Sequence, residues 1–321
     1  MILQKNIIIT GAEGFIGCNL MRHIKNTKKF SMLFAIDKAY YGNGFDKEFL
    51  SFKMDLGDKK NDEFLDEYIS ICDIVIHCAG IVGVDNVTSR SYDPCEIFEV
   101  DRKIVDLCKK HNKKLVYFSS SEIYGSSENP LNEESEIKLQ QKERSSYALE
   151  KLFTERYIQN NLGDYLIIRP FNVAGPFQSS ERGVVSKFIK NCLLKKPLEI
   201  RTFNEKSTKR SYIHVDDFCE ILIKLLEANV TMEVYNIGAP QNNFSADELA
   251  TLISDTLQIP IKKEYKEIQA DSKRDYEIDQ RIPDIKKVLK DLNLEKFEFK
   301  NMTDIILDTA KYFEENKFKM L

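Results

Sequence analysis

Ile7-Ile8-Ile9-Thr10-Gly11-Ala12-Glu13-Gly14-Phe15-Ile16-Gly17 is the stretch that decides the fold. Consecutive β-branched apolar residues predict a short strand buried on both faces, and the glycines spaced by three predict a turn that leads into a helix near Cys18-Asn19-Leu20. Glycine serves three needs in such a turn: a tight bend, close approach of a pyrophosphate to backbone N–H groups, and close packing of helix on strand. Gly11, Gly14 and Gly17, with Phe15 and Ile16 between them, are therefore the expected cofactor loop. Ordinary turns also match a glycine pattern, so the strand before it, the helix after it and an acid further on carry the reading. That acid is Asp37, at the end of the second apolar run Leu33-Phe34-Ala35-Ile36. It can accept both hydroxyls of an adenosine ribose, and its charge would repel the 2′-phosphate of NADP, so NAD is the expected cofactor. Asp55-Leu56, after a third strand at Phe52-Lys53-Met54, could reach the adenine edge, although an acid in that loop serves equally well as a cap.

Outward from this loop the rhythm repeats. Ile74-Val75-Ile76, Leu115-Val116-Tyr117-Phe118 and Tyr165-Leu166-Ile167-Ile168 read as further buried strands, while Glu96 to Lys110 and Tyr147 to Asn160 carry apolar residues at helical spacing. Alternating βα units predict an α/β fold with a Rossmann-like, doubly wound parallel sheet, whose ligands bind at the carboxyl ends of the strands. After Pro170 the pattern loosens around Gly175-Pro176, Lys196-Pro197 and Ala239-Pro240, with helices at Ala246 to Leu257 and Thr303 to Phe313. The expected division is a dinucleotide-binding domain over 1–170 and a smaller α/β substrate lobe over 171–321, some of whose segments return to the first domain.

The 321 residues are 42% hydrophobic and 31% charged, with a formal net charge of −4, a profile that suits neither a nucleic-acid nor a membrane surface. Seven scattered cysteines without a C-x-x-C pair read as free thiols, and no apolar run approaches membrane-spanning length. With no signal-peptide pattern at Met1-Ile2-Leu3-Gln4-Lys5, the expected location is the cytoplasm. The four histidines lack ligand-spaced partners, so no metal site is expected.

The chemistry is expected where the fifth strand ends in Ser119-Ser120-Ser121-Glu122-Ile123-Tyr124-Gly125 and the next helix opens with Ser145-Ser146-Tyr147-Ala148-Leu149-Glu150-Lys151. Tyr147 and Lys151 are four apart and so share a helix face, where an ammonium can stabilise a tyrosinate. An unperturbed tyrosine, with pKa of about 10, needs that help to act as a base near neutrality. A serine hydroxyl from the strand end would hold the same substrate hydroxyl.

Gly11-x-x-Gly14-x-x-Gly17, His77-Cys78-Ala79-Gly80, Ser119 to Gly125, Tyr147-x-x-x-Lys151 and Arg169-Pro170-Phe171-Asn172-Val173-x-Gly175-Pro176 together resemble the extended short-chain dehydrogenase/reductases, over nearly the whole chain. The resemblance implies a sugar-nucleotide epimerase, dehydratase or decarboxylase with a tightly held NAD and a nucleoside diphosphate sugar as substrate. It makes Tyr147 the base, Lys151 its partner and ribose anchor, Ser120 the third member, and Ala79 a residue beside the cofactor. Lys209-Arg210-Ser211-Tyr212-Ile213-His214-Val215-Asp216-Asp217 and Asp279-Gln280-Arg281-Ile282-Pro283-Asp284 are similar to diphosphate-gripping segments, which makes Arg210 and Arg281 the phosphate candidates, whose planar guanidinium suits bidentate contact. Asn172 resembles a residue that contacts the substrate, and Gly183-Val184-Val185-Ser186-Lys187-Phe188 a segment over the nucleotide. The amphipathic helices Glu96 to Lys110 and Tyr147 to Asn160 resemble a pair that forms a four-helix homodimer interface.

One position and one segment depart from the family pattern: Asp101 stands where an Asn is usual, and Phe203-Asn204-Glu205-Lys206-Ser207-Thr208 replaces a glycine-rich segment. The expected reaction is oxidation at C4 to a transient 4-keto sugar. Glu122, beside the serine, could then remove the C5 proton for a 4,6-elimination, and Ser-x-Glu before Ile-Tyr-Gly is similar to dehydratases and decarboxylases. Ser121, a substrate-side residue, stands where other dehydratases place an Asp. A 4-epimerase is the alternative. A 4-dehydrogenase or 4-reductase is less expected, since Asp37 favours NAD recycled within each turnover, and a non-catalytic NAD-binding scaffold is opposed by the intact Ser120, Tyr147 and Lys151.

Overall fold

Where the sequence alternates apolar runs with amphipathic stretches, the chain alternates strands with helices. The computed structural model describes residues 5–27, 29–39, 49–87, 89, 91–125, 127–139, 144–202, 208–267 and 280–316. The first half runs β1 (Lys5–Thr10), α1 (Phe15–Thr27), β2 (Phe30–Asp37), β3 (Leu50–Lys53), α2 (Asp62–Ile71), β4 (Ile74–His77), the single turn α3 (Val84–Val87), α4 (Pro94–His111), β5 (Lys114–Phe118), α5 (Arg144–Asn161) and β6 (Tyr165–Pro170). The second half runs β7 (Asn172–Ala174), α6 (Val184–Leu193), β8 (Leu198–Thr202), β9 (Lys209–His214), α7 (Val215–Glu227), β10 (Glu233–Ile237), β11 (Asn243–Ser245), α8 (Ala246–Leu257), β12 (Lys263–Glu267), β13 (Gln280–Arg281), α9 (Lys286–Asp291) and α10 (Met302–Glu315).

Helix ends follow local chemistry. At the start of α4 the Asp93 side chain accepts from the Cys95 N–H and Pro94 occupies the first turn, while Asn112 closes the helix in the left-handed region at φ 51°. Helix α1 begins at Phe15, three residues before the expected start, because the Cys18 N–H already bonds the Gly14 carbonyl and closes a first turn inside the glycine loop.

Seven strands form one sheet in the order β3-β2-β1-β4-β5-β6-β10, and the neighbouring pairs from β3 through β6 run parallel. The winding direction changes between β1 and β4, which leaves a crevice at the carboxyl ends of these two strands. Ile8, Phe34, Val75, Leu115, Tyr117 and Ile167 join Leu65, Ile69, Ile104, Val105 and Cys108 in a buried core between this sheet and its helices.

The chain divides into two compact units, and β1 to β5 lie in the first. That unit takes the described residues within Met1–Ile123, Ser146–Arg169 and Cys219–Tyr235; the second takes those within Tyr124–Ser145, Pro170–Phe218 and Asn236–Leu321. In the second, β9 is the central strand: β7 and β13 pair with it in parallel, β11 antiparallel. Its core gathers Phe188, Ile189, Leu198, Ile200, Leu249, Ile253, Ile305, Ile306 and Phe313 from α6, β8, α8 and α10. All seven cysteines are free, and Cys18, Cys72, Cys108, Cys192 and Cys219 are buried. Among the described residues no helix is long and apolar enough to cross a membrane.

Candidate active site

The glycine loop is built too tightly for side chains. Gly11 has φ +67°, and a Cβ there would lie 2.7 Å from the Ala79 backbone nitrogen. A Cβ on Gly17 would lie 2.2 Å from the Gly11 carbonyl oxygen. Both contacts are backbone against backbone, so only glycine lets the turn close on the start of α1, where N–H groups and the positive helix end favour a phosphate. Phe15 and Ile16, half-buried, form the first residues of that helix. Asp37 ends β2 beside the loop, and its two oxygens accept from the Glu13 and Ala39 N–H groups at 3.0 Å each. Burial pushes its carboxyl above the usual range, although those donors favour the charged form. Each oxygen keeps a lone pair for a ribose hydroxyl. A glycine turn closed by backbone contacts at the start of a helix, with a strand-end acid beside it, fits a dinucleotide such as NAD.

Asp55 and Leu56 are held near Asp37 by the Met54 N–H, which donates to the Asp37 carbonyl at 2.7 Å. The exposed Asp55 side chain accepts from the Gly57 N–H at 2.9 Å, so it caps its own turn, while Leu56 is buried. Ala79 follows β4, and its N–H lies 3.4 Å from Thr10 Oγ1.

At the end of β5 the Ser119 N–H bonds the Ile168 carbonyl, and the chain then enters a single 3-10 turn over Ser121–Tyr124. Ser120 Oγ accepts from the Glu122 N–H at 3.1 Å, which holds Glu122 on the turn. Ser121 is buried at its start. Helix α5 brings Tyr147 to the same place: its hydroxyl bonds Ser120, and its phenol feels the charges of Lys151, Glu150 and Glu122. Burial raises the phenol's pKa, the Lys151 ammonium and the Ser120 bond act to lower it, and the two carboxylates raise it. The structure thus brings together Ser120, Glu122, Tyr147 and Lys151.

Behind Lys151 lies a buried polar cluster that spacing alone does not reveal. Lys151 Nζ donates to the Tyr117 hydroxyl at 3.0 Å and stands 3.5 Å from Glu150 Oε1 and 3.8 Å from Asp101 Oδ2. Asp101 in turn accepts from the Tyr117 hydroxyl at 2.7 Å and from Thr154 Oγ1 at 3.2 Å, and lies 3.0 Å from His77 Nε2. Burial penalises the Lys151 ammonium, but Glu150 and Asp101 outweigh it and hold the group well above its ordinary pKa. Asp101 is the position that departs from the resemblance. Tyr147, Glu150, Lys151 and Thr154 share one helix face by their three- and four-residue spacing, and Asp101 lies on the buried face of α4 with Ile104, Val105 and Cys108, so helical periodicity was the available signal.

In the second unit the three substrate candidates lie on one sheet. Arg281 on β13 stands in register with Arg210 on β9, and Asn172 on β7 pairs with Tyr212 of the same central strand. Arg281 is buried, Arg210 half-buried with its NH1 donating to the Lys209 carbonyl at 2.8 Å, and Asn172 exposed. Gly183, with φ 78°, precedes α6. Asp279 and Phe203 to Ser207 lie outside the described residues. His214, Asp216 and Asp308 also converge, with ligand atoms within 4.8 Å of one another, a grouping the isolated histidines of the sequence did not announce. The Lys300 ammonium stands there, 2.8 Å from Asp216 and 3.0 Å from Asp308, and supplies the positive charge.

Residues 7–238 match the NAD dependent epimerase/dehydratase family. A UDP-N-acetyl-alpha-D-glucosaminuronate decarboxylase of Bacillus cytotoxicus is 28% identical over 284 residues, covering 82% of this chain and 86% of that protein. A dTDP-D-glucose 4,6-dehydratase of Dictyostelium discoideum is 29% identical over 260 residues, covering 74% of this chain and 59% of the relative. Among solved structures, a UDP-N-acetylglucosamine 4-epimerase of Methanobrevibacter ruminantium superposes with a TM-score of 0.81 at 24% identity, over 98% of this chain and 99% of the other. A match that runs through the glycine loop, the Ser120 turn and the Tyr147 helix leaves one assignment: the chain is an NAD-dependent enzyme of the epimerase/dehydratase family.

Proposed function

We propose that the enzyme modifies a nucleoside diphosphate sugar through a 4-keto intermediate, as a 4,6-dehydratase or decarboxylase. The observation that carries the reading is Glu122, fixed by its N–H on Ser120 and near enough to Tyr147 for its charge to act on that phenol. Bound NAD would supply the acceptor for the C4 hydride and the source of its return, to C6 after loss of water or to C4 after loss of carbon dioxide. Ser120 orients the substrate C4 hydroxyl, and Tyr147 takes its proton. Lys151 supports the phenolate, and anchors the nicotinamide ribose. With C4 as a ketone the C5 proton becomes acidic, and Glu122 removes it while the C6 hydroxyl leaves as water. Should C6 be a carboxylate instead, the 4-keto group draws the electrons of the C5–C6 bond as carbon dioxide departs. Arg210 and Arg281 hold the diphosphate and Asn172 the sugar side of it. Asp37 selects NAD over NADP. Ser121 in place of an acid leaves the proton for the leaving hydroxyl to come from water or another group, which keeps 4-epimerisation as the second reading.

The test is mass spectrometry of products after incubation of the purified enzyme, without added cofactor, with UDP-, GDP-, CDP- and dTDP-sugars. Loss of water or of carbon dioxide supports the proposal, and unchanged mass with a new configuration by NMR replaces it with epimerisation. No change on any substrate overturns all of these.

A homodimer is proposed through α4 and α5. Leu149 and Phe153, one turn apart on α5, are 54% and 60% exposed, and Phe98 of α4 packs edge-on against Phe153 at 4.7 Å. A second copy would cover this apolar stripe. Light scattering should give twice the chain mass; a monomer mass sinks it. Free buried thiols fit the cytoplasm, which we take as the place of action.

A further inference from the structure

We propose that Asp101 and Glu150 are positioning residues of the redox base: gathered around the Lys151 ammonium, their two carboxyl groups set how strongly that ammonium lowers the proton affinity of Tyr147. The proposal rests on Tyr147 acting as the base, but its test needs no substrate.

Asp101, Glu150 and Lys151 are 1%, 4% and 3% exposed, so one cation and two acids share a space nearly closed to water. With both acids ionised the cluster carries a net negative charge that solvent cannot relieve, and a retained proton removes that cost. The hydrogen bonds decide where the proton stays. Asp101 receives the Tyr117 hydroxyl at 2.7 Å and the Thr154 hydroxyl at 3.2 Å. His77 Nδ1 lies 2.6 Å from the Thr10 hydroxyl, whose oxygen faces the Ala79 N–H, so Thr10 donates to Nδ1 and the ring offers its Nε2–H to Asp101 at 3.0 Å. The hydroxyls beside Glu150, those of Tyr92 and Tyr117, lie farther off at 3.4 Å, and its charge faces that of Asp101. Asp101 is therefore the fixed anion and Glu150 the group that keeps or gives up a proton. The proton affinities agree. Burial, aided by the Asp101 charge and partly opposed by Lys151, pushes Glu150 up to about 7, whereas Asp101, though burial works against it, is held low by Lys151 and His77.

The consequence reaches Tyr147 through Lys151. Facing this ammonium are Asp101 from α4, Glu150 and Tyr147 from α5, Tyr117 from β5 and Tyr92 from the segment before α4, with His77 of β4 behind Asp101. Nζ lies 5.9 Å from the Tyr147 ring centre. When Glu150 is neutral, Asp101 and the ammonium form a neutral pair whose positive end faces the Tyr147 ring. When Glu150 ionises, the ammonium is overbalanced and the phenol holds its proton more tightly. The chain thereby couples its base to a buried acid, in place of the Asn usual at position 101.

The experiment is a difference titration of tyrosinate absorbance on the NAD-loaded enzyme, in which subtraction of Tyr147→Phe isolates the Tyr147 phenol among 14 tyrosines. Repeated in a Glu150→Gln background, the midpoint should fall by about one pH unit or more, as expected for removing a charge several ångströms away in a poorly solvated site. Asp101→Asn should lower it as well, while Glu150→Asp, which keeps the charge, should stay nearer the parent. Should Glu150→Gln fold poorly, Glu150→Ser removes the same charge with less volume. A midpoint that stays at the parent value in a charge-removing variant with parent-like melting overturns the proposal, as would one that rises. If sugar nucleotides prove not to be substrates, the function reading fails and this titration result stands by itself.

Discussion

Gly17 and Tyr147 fail in different ways when altered, and the difference separates binding from chemistry. A methyl group on Gly17 would meet the Gly11 carbonyl oxygen at 2.2 Å and the Ala12 Cα at 2.9 Å, both backbone atoms that cannot swing aside. Gly17→Ala should cost roughly 1–3 kcal/mol of stability by overpacking and should strip NAD from the purified protein. Urea denaturation and the nucleotide content of the denatured protein check the two halves of that expectation. Tyr147→Phe removes one hydroxyl from a half-buried ring and leaves the loop untouched, so NAD should remain bound while turnover falls by about 10²–10⁴. Activity that survives in Tyr147→Phe would remove Tyr147 as the base. At this scale the sequence was legible wherever partners are near in the chain: Ser120 with Glu122, Tyr147 with Lys151, the three glycines. It was least legible at Asp101, which meets Lys151 across 50 positions, and at Asp55, whose nearest donor is its own turn. Those pairings are decided by how α4, α5 and β5 pack, which no spacing rule records.

Elements were legible in proportion to their hydrophobic period. Strands β1, β2, β4, β5 and β6 each bury an apolar run, and helix α8 spans Ala246–Leu257 as its spacing indicates. Strands β7 to β13 are only two to six residues long, and β12, Lys263-Glu264-Tyr265-Lys266-Glu267, exposes most of its side chains, so pairing with neighbours rather than burial makes it a strand. Helix α8 also shows how its boundary is set. Ser245 Oγ accepts from the Glu248 N–H at 3.2 Å, and the Glu248 carboxylate accepts from the Ser245 N–H at 2.8 Å. The same Glu248 pairs with Lys209 of β9 at 2.8 Å, which ties the helix start to the strand that carries Arg210. Ser245→Ala should therefore destabilise by about 1 kcal/mol, the usual worth of an N-cap. Because the Lys209 pair is exposed and weak, Lys209→Ala should cost less than Ser245→Ala in the same denaturation experiment.

At the scale of the molecule, the two units carry buried groups of opposite sign. In the first, Glu150 has its pKa raised from 4.5 to about 7 by burial, and Asp37 is raised as well. A folded state that holds a proton more tightly than the unfolded chain loses stability as pH rises, here between about pH 4.5 and about pH 7. In the second, burial lowers the pKa of His214 from 6.5, with the Lys300 ammonium adding to the effect against the pull of Asp216 and Asp308. The unfolded chain then takes up the proton first, so stability is full above pH 6.5 and falls as the solution is acidified. Asp66, Asp101, Asp247 and Glu248, whose carboxyls are held low, stay ionised in both states above about pH 5 and leave that window clear. Hydrogen exchange at about pH 5 and about pH 7.5, corrected for the intrinsic rate, should show α4 and α5 better protected at the lower value and β9 at the higher. Glu150→Gln should flatten the first trend alone and His214→Gln the second alone. If both units drift in one direction, or if either variant flattens both trends, the assignment of these two groups as the local titrants is wrong.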